Sequence, residues 1–165
     1  MPNTTPIPEL IALEIVDRLS EITVANGYNF DASEVVRPTR RGENWLYKHL
    51  GIGVVQGEST RLQELDLPGN PPAIAWQIQF RVQCIVRDDK DSTDAHATNE
   101  NEMAAAVVLA ITDDGATWYR MNNNAIDTQF GSPTPFVTDD GELNGVSVPV
   151  AVAYRVSETN PFEAR

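Results

Sequence analysis

The chain has 165 residues, with 24 Asp and Glu against 12 Lys and Arg, a net charge of −12. That length fits one domain able to bury its own core, and 41% hydrophobic with 22% charged residues argues against a disordered chain. The acidic balance disfavours a nucleic-acid-coating surface or docking on an anionic membrane, one cysteine excludes an intramolecular disulfide or a CxxC zinc site, and no apolar run nears the ~20 residues of a membrane span.

Ile7, Ile11, Ile15, Leu19 and Ile22 are spaced four, four, four and three apart, with Leu10 and Val16 beside them and Glu9, Glu14, Asp17, Arg18 and Glu21 on the other side. This predicts an amphipathic helix over 7–22, started by Thr5-Pro6 and stopped by Ala25-Asn26-Gly27. A short strand follows at 34–37, because Pro38 pushes Arg37 out of the helical region. Residues 39–49 form a polar, aromatic loop, 50–56 a glycine-punctuated strand, and Pro68-Gly69-Asn70-Pro71-Pro72 a turn.

From Trp76 the chain alternates: Trp76, Ile78, Phe80, Val82, Cys84 and Val86 against Gln77, Gln79, Arg81, Gln83, Ile85 and Arg87. Period two over this length predicts a strand with the first set in a core and the second facing solvent or a partner. A helix over 95–111 is expected from Met103, Val107 and Ile111, with Asp94 as N-cap. A strand over 125–130 and a proline- and glycine-rich loop to 145 come next. The last strand, 146–156, alternates Val146, Val148, Val150, Val152, Tyr154 and Val156 with small or polar residues. Pro149, lacking an N–H, predicts a sheet edge or a bulge there. The residues after 156 read as a polar tail. The whole is a single α+β domain over 1–165, a mainly antiparallel sheet with two helices packed on one face and a mobile tail at 157–165.

Motifs for chemistry are sparse. Asp89, Asp91 and Thr93 alternate, and Glu100 lies eleven residues beyond Asp89, as in an EF-hand. Asp94 stands, however, where the sharp turn needs glycine, so a solvated turn entering a helix is the better reading. His49 and His96 belong to no HExxH or GxSxG pattern, and Cys84 on an apolar face reads as a buried, inert thiol. Gly51, Gly53 and Gly57 lack the Lys-Ser/Thr of a phosphate loop and suit a crowded strand or a bulge. No catalytic, cofactor-binding or metal-ligating residue is therefore assigned. The candidate interface is the basic, aromatic stretch Arg37, Arg40, Arg41, Trp45 and Tyr47, with Lys48, of the composition that interface hot spots favour. A plain surface loop, or contact with nucleic acid, are the other readings of the same residues.

The segments together resemble something specific. Ile22-Thr23-Val24-Ala25-Asn26-Gly27-Tyr28-Asn29 after the opening helix, then Val35-Val36-Arg37, is similar to the N-terminal part of tail-completion and neck proteins of tailed bacteriophages. The glycine-bearing strand at Ile52-Gly53-Val54-Val55, the long alternating strand, the helix and the closing Val152-Ala153-Tyr154-Arg155 with Asn160-Pro161-Phe162 follow in the same order.

The resemblance implies a tail terminator: a virion protein assembled in the host cytoplasm, forming a ring, usually of six copies, at the neck. Its fold would be a sheet carrying helices on one side, with no enzymatic activity and no cofactor. Its partners would be other copies of itself, the tail tube protein and the head–tail connector protein, with DNA passing through the channel without specific binding. The absence of a basic, apolar leader at Met-Pro-Asn-Thr-Thr suits such a protein, and an acidic channel lining would keep DNA from sticking. A head-completion or connector-side adaptor, and an acidic module that mimics DNA, are the alternatives.

Overall fold

The apolar stripe at the start of the chain becomes helix α1 (Ile7–Ser20) in the computed structural model, which describes residues 5–32, 34–37, 51–86, 93–112, 121–137 and 144–164, and over 93–98 the helix without its side chains. A proline in the first turn costs α1 no hydrogen bond, since those N–H groups have no intrahelical partner. Ile7, Ile11, Ile15 and Leu19 are buried, as steps of four require. The helix ends earlier than the Asn26-Gly27 signal suggests, where the Glu21 and Ile22 N–H groups fall back on the Arg18 and Leu19 carbonyls. The glycine stop closes a separate 3-10 turn, Val24–Asn26, with Gly27 at φ 91°.

The described strands are β1 (Glu34–Val36), β2 (Gly51–Arg61), β3 (Ala73–Val86), β4 (Asp127–Phe130), β5 (Thr134–Val137), β6 (Asn144–Ser157) and β7 (Asn160–Ala164), and helix α2 (Thr93–Thr112) follows β3. They form one mixed sheet in the order β1-β2-β3-β6-β4, with β5 and β7 also paired to β6. Only β1 with β2 is parallel among these pairs. The protein is α+β, and mostly sheet.

Several boundaries differ from the sequence reading. β2 runs on to Arg61 because a bulge between Gln56 and Ser59 absorbs the break in alternation. Gly57 sits in it, where a Cβ would come 3.2 Å from the Gln79 carbonyl oxygen. Asp94 lies inside the first turn of α2 rather than capping it. The C-terminal residues read as a tail include a paired strand, β7, turned back on β6 through Glu158 and Thr159.

The largest correction concerns β6, which is central and not an edge. β3 pairs with it along all 14 residues, Ala73↔Ser157 to Val86↔Asn144, so β5, β4 and β7 share its other side. Pro149 is tolerated because the partner on that side is interrupted there. β4 ends at Phe130 and β5 begins at Thr134, and the Pro149 carbonyl accepts the Gly131 N–H at 2.9 Å. The N and C=O of one strand residue point the same way, so the missing donor faces the gap.

Alternation decides the core. Ile52, Cys84 and Val146 are directly opposed across three strands, as are Val54, Val82 and Val148, and as are Phe80 with Val150 and Ile78 with Val152. Directly opposed residues share a face, and all of these are buried in one cluster with Ile11, Ile15, Leu19, Met103, Val107 and Ile111 of the helices. Trp76, expected inside, is half-buried and packs against that cluster, while Ile85, on the other parity, is fully buried.

Candidate functional site

Arg37, the described member of the basic stretch, is half-buried and engaged within the fold. Its guanidinium donates to the Glu9 carboxylate and, at 2.6 Å, to the Gln56 side-chain oxygen, tying the end of β1 to α1 and β2. Arg40, Arg41, Trp45 and Tyr47, with Lys48 and His49, lie outside the described residues, as do Asp89 and Asp91 of the EF-hand-like spacing. Thr93, His96 and Glu100 of the other candidates fall in α2. Of each constellation the described residues hold only a part. Among the described residues no three His, Cys, Asp or Glu side chains are grouped to share a metal ion. Cys84 is buried, and burial pushes its thiol up to about 12, which leaves it protonated and unreactive at neutral pH.

Two hollows border α2. One, of about 250 Å³, is lined by Arg18, Glu21, Asn26, Gly27, Tyr28, Leu109 and Ala110. It contains the Asn26-Gly27-Tyr28 turn. The other, of about 440 Å³, is an open apolar depression between α2 and Pro133. Arg18 at the first hollow is buried and engaged, its Nε on Glu14 at 2.8 Å and its Nη1 on the Ile111 carbonyl at 2.5 Å. It closes one of the carbonyls left unpaired at the end of α2. Its role is to lock α1 to α2.

Among the described residues, one face of the long strands is polar. Gln79 and Arg81 of β3 and Gln129 of β4 are exposed there, beside half-buried Gln77, Gln83 and Ser147. The amide of Gln79 donates to Gln77 at 3.0 Å and that of Gln129 to Asp127 at 2.9 Å, which sets these side chains along their strands. The face is closed at both ends. At one, Phe136 lies on Gly145, beside the buried Ile85; at the other, Arg155 reaches the Leu65 carbonyl at 2.8 Å. Between them the side chains of Gln79 and Arg81 are exposed. The alternating strand announced this face and Arg81 on it, and the register sets Val55 and Pro149 directly opposite Arg81.

No family model matches the chain, and no curated protein matches it either. None of the described helices is long and apolar enough to cross a membrane.

Proposed function

We propose that this protein is a structural subunit of the neck of a tailed bacteriophage, a tail terminator that forms a hexameric ring, caps the tail tube and joins it to the head connector. The observation that supports this reading best is the open face of β3 and β6. A polar sheet face with exposed glutamine and arginine side chains suits contact with another protein surface better than enclosure of a small molecule. The likeness of the Ile22–Asn29 stretch and of the closing strand to neck proteins gives the reading its specific form. A channel built from subunits of net charge −12 repels DNA and lets it pass without specific binding. The role is not enzymatic and takes no cofactor. Arg40, Arg41, Trp45 and Tyr47 serve as ring contacts, while Arg37 holds the base of that loop.

The test is an assembly lysate lacking this protein. Tails of uncontrolled length, or normal tails that fail to join heads, are the expected result. Normal infectious particles would overturn the proposal.

A further inference from the structure

Asn-Gly occurs twice in the chain, at Asn26-Gly27 and Asn144-Gly145. In this pair the asparagine amide is open to attack by the next backbone nitrogen, because glycine has no Cβ to crowd that nitrogen. The fold treats the two pairs differently. Asn144 and Gly145 stand in β6 with Val86 and Ile85 of β3 on one side and Val137 and Phe136 of β5 on the other. Asn26 and Gly27 are both exposed, in the 3-10 turn between α1 and β1, which buries no residue. A Cβ on Gly27 would meet nothing within 4 Å. What holds this turn is local: Asn26 Nδ2 donates to the Glu21 carbonyl at 2.9 Å and to its carboxylate at 2.8 Å, and the Gly27 N–H donates to the Val24 carbonyl at 3.1 Å.

We propose that Asn26 is a site of spontaneous modification, deamidation through a cyclic imide, latched by Glu21 and reached by local opening of this turn. Closing the five-membered ring requires the Gly27 nitrogen and the Asn26 Cβ to eclipse about the Cα–C bond. A 3-10 backbone, with ψ about −20 to −30°, keeps them apart, so reaction waits until the turn opens. An exposed turn held by a few hydrogen bonds opens at small cost, whereas Asn144 is freed only when paired strands separate. In the open turn the Gly27 nitrogen gives its proton to solvent and attacks Asn26 Cγ. The Cγ–Nδ2 bond breaks, and Nδ2 takes up a proton and leaves as ammonia. Water then opens the ring at either carbonyl, its hydroxyl going to that carbon and a proton to the nitrogen, which gives aspartate or isoaspartate at position 26. The product has a carboxylate where Nδ2 was a donor. It faces the Glu21 carboxylate, so the latch becomes a repulsion. This chemistry is independent of the ring reading.

Timed incubation of the full chain at mildly alkaline pH, native and in urea, followed by peptide mapping by mass spectrometry, tests it. In the native chain, conversion at position 26 should outrun that at position 144 by at least about tenfold, and in urea the two rates should approach each other. Glu21→Ala should raise the native rate at position 26 roughly fivefold, the worth of one hydrogen bond, with position 144 as the unchanged reference. Asn26→Asp, which installs the carboxylate directly, should melt below the wild type, and adding Glu21→Gln should recover part of the loss. Equal native rates at the two positions, or conversion at position 26 in urea alone, would overturn local opening as the route. An unchanged rate at position 26 in Glu21→Ala would overturn Glu21 as the latch, as would an Asn26→Asp chain that melts with the wild type.

Discussion

A Cβ on Gly145 would stand 2.4 Å from the Cys84 carbonyl oxygen and 2.6 Å from the Phe136 ring. The carbonyl belongs to the long β3–β6 ladder and cannot withdraw without breaking pairing. Gly145→Ala should therefore cost about 1–3 kcal/mol, the range for overpacking, visible as a lower thermal midpoint; an unchanged midpoint would show that β5 swings away at no cost. Phe80 is 2% exposed and lies directly opposite Val150 in the core. Phe80→Ala should cost about 3–5 kcal/mol, and unchanged stability would mean that the other face of β3 is the buried one. Phe80 was legible in the sequence because strict alternation assigns a face. Gly145 was not, because its constraint comes from Cys84 and Phe136, which only the folded register brings to it.

At the scale of elements, the junction of α1 and α2 depends on Arg18. A helical wheel places this residue with the polar set, yet it is 8% exposed and bonded to the end of a helix 93 residues away. Removing it strands the Ile111 carbonyl and leaves the Glu14 carboxylate, itself mostly buried, without its cation and with the Asn122 amide as a donor. Arg18→Met keeps much of the volume and should still cost about 3–5 kcal/mol, as breaking a buried pair does. A loss below about 1 kcal/mol would place the lock elsewhere. The link between β2 and β3 has its own clamp. Asp66 accepts the Ala75 N–H at 2.7 Å and Arg61 at 2.8 Å, and these bonds, the backbone one first, hold its carboxyl below the ordinary 3.8. A folded pKa below the unfolded one means a contribution that is complete above about pH 4 and lost as pH falls through the folded value. Asp66→Asn should thus be less stable than wild type at neutral pH, and the difference should shrink as acid protonates the folded carboxyl. A difference that stays constant with pH would show that charge on Asp66 is immaterial. The two helices and the paired long strands were legible because periodicity reports burial directly. The central place of β6 was not, because Pro149 signals an edge and the gap between β4 and β5 that excuses it is a property of three strands together.

For the whole molecule, charge sets the response to salt. A net charge of −12 on a chain of this size makes the folded state repel itself. The pairs Arg18–Glu14, Arg37–Glu9 and Arg61–Asp66 work against that repulsion locally. Arg37–Glu9 and Arg61–Asp66 are partly exposed, and exposed pairs are individually worth about 0–1 kcal/mol, whereas self-repulsion sums over every unpaired carboxylate. Raising ionic strength from about 0.01 to 0.15 M shortens the screening length from roughly 30 to 8 Å, which weakens distant repulsion more than contacts under 3 Å. The folded chain should therefore gain stability with salt. Urea unfolding of the wild type, kept dilute, tests this. Its midpoint should rise with salt at constant slope, since the surface exposed on unfolding does not change. A midpoint that falls instead would mean that the local pairs outweigh the net charge, and that the acidity of this chain is balanced within each copy rather than available to a neighbour.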